Sequence, residues 1–414
     1  MPRTMIVRRA LWSTPIVAIM LAAASAEWLH AEAPSIPPKP FFVTERLYTA
    51  GHAGYRTYRI PAIAVAPDGA ILTAVAGRYD SASDWANVDL MLRRSTDGGE
   101  TWEDQQVLVN DGENTVDNPT FIVDAASGET HLMYQINYAR AYLKTSRDDG
   151  ATWSAPREIT AVFEEFRTRD GYDWEVLAMG PGHGIRLAGG RLVVPVWLAT
   201  DHSHRPSISA TIYSDDQGET WRAGEIIVAT TAETPNPSEH QLVELDDGRV
   251  LANTRTESKR HRRVLAVSPD GATGWTAPEF AEALYEPICM GSAVRLPAEI
   301  DLDAKARGQN EVKATILFAN PNSGPTGPAG KQGSRERRNL TVRLSEDNGG
   351  SWPVSRVIEP GPSGYSDMAT APDGTIYLLY EAGRTEPTGP LVPASITLAK
   401  FNRAWLMEST TPTR

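Results

Sequence analysis

One eight-residue phrase recurs along this chain and limits what it can fold into. STDGGETW runs from Ser95 to Trp102, SRDDGATW from Ser146 to Trp153, SDDQGETW from Ser214 to Trp221, and SEDNGGSW from Ser345 to Trp352. SPDGATGW, from Ser268 to Trp275, is a damaged relative. The starts lie 51, 68, 54 and 77 residues apart, which fits a supersecondary unit of roughly fifty residues with variable insertions. Each copy follows a short alternating run rich in β-branched or aromatic residues: VDLMLRRS, AYLKTS, ISATIYS, RVLAVS and LTVRLS. Such runs predict strands. The Asp and Gly of each phrase suit a tight turn, because Asp bonds nearby backbone and Gly tolerates positive φ. The Trp is placed to pack on a neighbouring unit. Four-stranded units around a channel account for the pattern. APDGAIL (66–72), LAGGRLVV (187–194), LDDGRVLA (245–252) and APDGTIYLL (371–379) add hairpin turns, so the repeats span about 41–402. No long helical pattern interrupts them.

In that arrangement the repeated turns sit away from the channel. Asp97, Asp148, Asp216 and Asp347 therefore read as turn residues, not catalysts, and their spacing is not that of an EF-hand calcium loop.

The bulk properties exclude some functions. Residues 1–33 carry Arg3, Arg8 and Arg9, then a mostly apolar stretch from Ala10 to Ala24 and small-residue cleavage candidates, which predicts a secretory signal peptide and an exported, periplasmic or secreted protein. Residues 403–414 read as a tail. Nothing later is apolar enough to span a bilayer, so no stable membrane insertion of the mature chain is expected. Cys289 is the only cysteine, which excludes an intramolecular disulfide. The formal charge of -12 argues against a nucleic-acid partner, and an anionic ligand would need a local arginine cluster.

Candidate chemistry lies outside the repeats. Arg59 in TYRIPAI, Arg255 in VLANTR and Arg337 in RERRNLTVRLS stand at strand starts or ends, where a propeller would bring them to its central mouth. Their planar, permanently charged forks suit a carboxylate. Asp84 sits in a loop-like segment from which it can lean over a ligand, and its bland alternative is a turn cap. Glu239 precedes an apolar strand. Tyr365 in GPSGYSDMA is a further candidate, or else a core or rim residue. His202 and His204 are spaced like a metal pair but have no evident third ligand.

The chain resembles the bacterial and animal exo-α-sialidases, or neuraminidases. The resemblance covers nearly all of the mature chain and rests on YRIP at 58–61, the Asp boxes, GPGHGIRL at 180–187, VELDDGR at 243–249 and RRNLTVRLS at 337–345. It implies an all-β, six-bladed β-propeller with Asp-box turns and an active site at the central mouth. It further implies that Arg59, Arg255 and Arg337 clamp a carboxylate, with Arg338 the alternative to Arg337. Asp84 becomes the acid/base, Glu239 the acid that activates the nucleophile, and Tyr365 that nucleophile. Asn118, Trp85, Asn137, Tyr138 and Trp197 are candidates for lining the sugar pocket, and His183 reads as a backbone support. The fourth box and the Tyr of YRIP depart locally from the family pattern.

The activity implied is hydrolysis of terminal α-linked sialic acids on oligosaccharides, glycoproteins or glycolipids, with no metal or organic cofactor. A transferase of the same fold and a sialic-acid-binding propeller without turnover are the alternatives. The presence of Asp84, Glu239 and Tyr365 together speaks against the second.

Overall fold

The computed structural model describes residues 39–296, 315–324 and 335–408, besides Met1. The leader read at 1–33, the Ala298–Lys313 insertion and most of the Gly- and Pro-rich stretch at 323–336 lie outside the described residues. Pro37–Arg414 forms one compact unit.

Strands dominate that unit. The first sheet contains Thr57–Val65, Ile71–Arg78, Val88–Ser95 and Gln106–Val109. The second contains Gly182–His183, Val116–Asp124, Glu129–Ile136, Arg140–Ser146 and Arg157–Glu158. Val176–Met179, Leu192–Ala199, Ser207–Ser214 and Arg222–Val228 make the third, with Ile185–Arg186 beside Leu192–Ala199. His240–Glu244, Val250–Thr254, Arg262–Ser268 and Glu279–Tyr285 make the fourth. The fifth has seven strands: Ser292–Leu296, Thr315–Pro321, Arg338–Ser345, Val354–Thr370, Ile376–Ala382, Ser395–Phe401 and Phe42–Thr49.

Pairing between the described strands is antiparallel except where Gly182–His183 runs beside Thr120–Phe121, and an isolated parallel bridge joins Val88 to Thr115. The 17-residue strand Val354–Thr370 serves two partners, with its first half on Arg338–Ser345 and its second on Ile376–Ala382. The architecture is thus all-β, built from antiparallel sheets of the kind that form propeller blades.

Burial grades across each sheet. Thr57–Val65 is buried along almost its whole length, whereas Gln106–Val109 at the far edge of the same sheet is exposed or half-buried. The apolar cores lie between consecutive sheets. Leu72, Leu90, Phe121 and Tyr134 join the first to the second, and Ile122, Leu177, Val194 and Ile212 join the second to the third. Val193, Val228, Val250 and Ala252 continue to the fourth, and Val243, Leu251, Ile316 and Phe318 to the fifth. Ile63, Ile71, Tyr377 and Leu379 return from the fifth to the first. Buried strands therefore present apolar side chains on both faces, which explains runs such as LVVPVWLA.

The expected tail is ordered at its start. Asn402 caps a short helix, Arg403–Met407, by accepting the Trp405 backbone N–H. Trp405 stacks on Phe42 with centroids 4.4 Å apart. No helix among the described residues is long and apolar enough to cross a membrane.

Each repeated phrase closes the strand before it. Ser214 Oγ donates to Asp216 Oδ1 at 2.8 Å and accepts the Gly218 N–H at 2.8 Å. Asp216 then receives the Thr220 N–H at 2.8 Å and hydroxyl at 2.6 Å. The same bonds form around Asp97, Asp148 and Asp347. In the damaged copy Thr273 replaces the fourth-residue donor from only three residues on, so Asp270 keeps its partners with a shorter turn. The Thr220 donors hold the Asp216 carboxyl at about 2. A depressed folded-state value means that this stabilisation is present above the ordinary 3.8 and lost as pH falls toward 2. Asp216→Ala should lower Tm by about 2–4 °C at neutral pH, and calorimetry should find the gap closing in acid.

Candidate active site

Several strands become irregular at one end of the sheets, and the candidate residues gather there. Register breaks fall between Arg59 and Ala62, Asp117 and Thr120, Arg338 and Leu340, and Ser363 and Ser366. Bulges re-aim side chains that a regular strand would send to alternate faces. Ile60 takes φ 55 beside Arg59, a strained value for a β-branched residue. Glu239 and Arg255 flank a hairpin pair, and the Arg255 N–H donates to the Glu239 carbonyl at 3.1 Å. That contact sets their side chains next to each other.

These features line a cavity of about 730 Å³. Its wall includes Arg59, Asp84, Trp85, Asn118, Tyr138, Trp197, Glu239, Arg255, Arg337 and Tyr365. The three arginines, the three proposed reacting groups and four of the five pocket candidates are thus brought together. Asn137 is not in the wall. Its side-chain carbonyl accepts the Thr115 N–H at 2.9 Å, and its amide donates to Asn114 at 2.7 Å, which ties it to a neighbouring turn. Arg338 also lies outside the wall and faces Glu336 at 4.0 Å.

Tyr365 is the centre of the cluster. Its hydroxyl donates to Glu239 Oε1 and accepts from an Arg255 terminal nitrogen at 2.8 Å. The guanidinium carbons of Arg59 and Arg337 lie 5.3 and 5.2 Å from the centre of its ring. Burial pushes the phenol up, and the nearby Glu239 charge adds to that shift against the pull of the arginines. Burial also works to raise the Glu239 carboxyl, but Arg255 and the Tyr365 hydroxyl outweigh it and hold it below its usual range. The pair therefore rests as a neutral phenol beside a carboxylate, the state a general base requires.

Arg255 bonds Glu239 Oε2 at 2.6 Å, yet its buried Nε has no hydrogen-bond partner among the described residues. Arg337 donates to the Ile288 carbonyl at 2.7 Å and has no carboxylate within ion-pair distance among the described residues. Both features favour an incoming anion.

Asp84 hangs at the rim with its side chain 43% exposed. It lies 2.9 Å from Arg78 and 3.5 Å from Arg59. Burial works to raise its carboxyl, but those two cations win and hold it at about 2. Arg78 is itself fully buried and bonds Asp117 at 2.9 Å. Trp85 follows Asp84 and packs within an aromatic wall, 5.0 Å from Tyr138 and 5.1 Å from His202. His202 and His204 belong to this wall, and no metal-binding cluster of three His, Cys, Asp or Glu residues occurs among the described residues.

Sequence reasoning missed Glu381. This fully buried carboxylate accepts Arg59 Nε at 2.9 Å and the Ile60 N–H at 3.2 Å on one oxygen, and the Tyr365 N–H at 3.0 Å on the other. The available signal was an acid in the apolar strand IYLLYEA. Gly364 is required beside it, because a Cβ there would lie 2.1 Å from Glu381 Oε2.

A guanidinium cluster facing a phenol bonded to a carboxylate suits an anionic ligand and the acid/base and nucleophilic chemistry that could act on it. A family model for the BNR repeat-like domain matches residues 69–378. The chain is 34% identical to a sialidase of Micromonospora viridifaciens over 94% of this chain and 58% of that protein. It is 30% identical to a sialidase of Bacteroides fragilis over 80% of this chain and 61% of that protein. The Hadza microbial sialidase Hz136 superposes with a TM-score of 0.69 at 26% identity, covering 87% of this chain and 69% of that one. The chain belongs to the exo-α-sialidase family of BNR, or Asp-box, repeat proteins. It spans about six tenths of the length of these two curated relatives.

His183 has a supporting place. Its Nδ1 bonds Asp367 Oδ1 at 2.7 Å, two residues beyond Tyr365, while Asp367 Oδ2 accepts the Ile63 N–H at 2.9 Å. Burial pulls the imidazole down, but the Asp367 charge and hydrogen bond outweigh it and raise it above 6.5. This pairing stabilises fully below about 6.5 and is lost as pH rises through the higher folded value. His183→Ala leaves a buried carboxylate unpaired and should cost about 3–5 kcal/mol near pH 6. Urea unfolding should find the loss shrinking toward alkaline pH.

Proposed function

We propose that this protein is a retaining exo-α-sialidase that hydrolyses terminal α-ketosidically linked sialic acids from oligosaccharides, glycoproteins or glycolipids. The observation that carries this reading is the Tyr365 hydroxyl bonded to Glu239 and Arg255 while Arg59 and Arg337 face its ring. Six four-stranded blades around this mouth complete the reading. The long strand Val354–Thr370 would serve two of them, and Phe42–Thr49 on Ser395–Phe401 would close the ring. The apolar leader supports export.

A sialic acid carries a carboxylate on its anomeric carbon. Arg59, Arg255 and Arg337 hold that carboxylate and thereby fix the reacting carbon. A carboxylate nucleophile would be repelled by it, whereas a neutral phenol is not. Tyrosine-nucleophile sialidases are a known exception among retaining glycosidases, so this part follows the family. In the first step Glu239 takes the phenol proton, the Tyr365 oxygen bonds the anomeric carbon, and the glycosidic C–O bond breaks as Asp84 protonates the departing oxygen. In the second, Asp84 takes a proton from water and the water oxygen bonds the anomeric carbon. The Tyr365 C–O bond breaks, and Glu239 returns the proton to the phenol. Two displacements at one carbon retain configuration.

Asp84 must enter protonated, although Arg78 and Arg59 hold it ionised in the free site. The substrate carboxylate on Arg59 adds a negative charge and displaces water, and both effects raise the Asp84 carboxyl.

Glu239→Gln should lower turnover about 10²–10⁴-fold, and Tyr365→Phe at least as much, measured with an α-sialoside bearing a reporter leaving group. Wild-type turnover that survives in Tyr365→Phe would overturn the nucleophile. Arg337→Lys should impair turnover more than Arg338→Lys, and the reverse order would move the clamp by one residue. Asp84→Asn should damage an alkyl sialoside far more than a 4-nitrophenyl one, whose leaving group needs no proton. Product analysis with a galactose-terminated acceptor separates hydrolysis from transfer.

A further inference from the structure

A further ion pair lies among the residues that carry two of the clamp arginines, and the proposed chemistry does not use it. Arg263 and Glu286 are both fully buried and meet at 2.5 Å. Arg263 Nε donates to the Asn253 side-chain carbonyl at 2.6 Å, and a terminal nitrogen donates to the Asn253 backbone carbonyl at 2.7 Å. Asn253 stands two residues before Arg255. The other Glu286 oxygen accepts the Cys289 N–H at 2.8 Å, and Arg263 reaches the Cys289 carbonyl at 3.4 Å.

Cys289 follows Ile288, whose carbonyl accepts from Arg337 at 2.7 Å. Ile288 has φ 62. A β-branched residue keeps such a conformation only when its surroundings impose it. Here both backbone groups of the next residue are held by the pair.

Burying two charges is a poor route to stability, since apolar residues of similar size pack as well without the desolvation. What the pair supplies is direction. One guanidinium and one carboxylate hold the strand that leads to Arg255 and the loop that receives Arg337. We propose that Arg263 and Glu286 are positioning residues that set the spacing of Arg255 and Arg337, with the strained Ile288 carbonyl as the contact that aims Arg337. This inference rests on the reading of those arginines as a carboxylate clamp.

The full chain is titrated calorimetrically with free sialic acid and with its methyl ester, and Tm is measured alongside. Wild type should prefer the acid. Glu286→Gln keeps the shape but not the charge, and should reduce that preference about tenfold, the size of coupling expected within one network. Ile288→Gly relieves the strain, so its Tm should hold or rise while the preference still falls. A structural role alone would not separate these two readouts. Asp216→Ala should lower Tm and leave the preference unchanged. Folded Glu286→Gln or Ile288→Gly with wild-type preference overturns the positioning role, and Ile288→Gly decides it if Glu286→Gln does not fold. Wild type without acid preference overturns the clamp itself.

Discussion

The site depends on one buried carboxylate. Glu381 accepts hydrogen bonds from the Arg59 side chain, the Ile60 backbone and the Tyr365 backbone, and so joins the first sheet to the last. A fully buried acid is tolerable only when its oxygens are paired in this way. In return it fixes the guanidinium that would grip a ligand and the strand that presents the phenol. Gly364 leaves room for it, and the strained Ile60 supplies one of its donors.

Around that anchor, charges are arranged so that each group has an assigned state before any ligand arrives. Arg255 keeps Glu239 ionised, and burial keeps Tyr365 neutral. Arg78 and Arg59 hold Asp84 at the rim. Arg337, by contrast, has only a backbone carbonyl and an aromatic face as neighbours of this kind among the described residues. The cluster is therefore organised in advance and still short of one anion, which is the condition under which electrostatic binding loses least to reorganisation.

Much of the molecule is legible in the residues. The Ser-x-Asp turns appear where the repeats lie, and every strand expected before them ends at the Ser of its turn. The signal is local, because Asp and Gly in a tight turn need only their nearest neighbours. Arg59, Asp84, Glu239, Arg255, Arg337 and Tyr365, which the fold brings to one cavity, were also singled out, though spacing alone left each with a bland alternative, and the family resemblance supplied the weight. Asn137 shows the limit: it is next to Tyr138, which does line the cavity, but a turn bond directs it elsewhere.

The sequence alone was enough for the repeat, its strands, its turn chemistry and the identity of the polar groups available for a site, since each depends on residues close together in the chain. Only the tertiary structure decided which of those groups meet. Arg59 and Glu381 are more than three hundred residues apart. Arg263, Glu286 and Asn253 look like ordinary surface residues until strand pairing buries them together. The bulges that turn the inner strands at the mouth carry no sequence mark of their own, because they arise from the way neighbouring sheets pack and from the buried charges that must be satisfied between them.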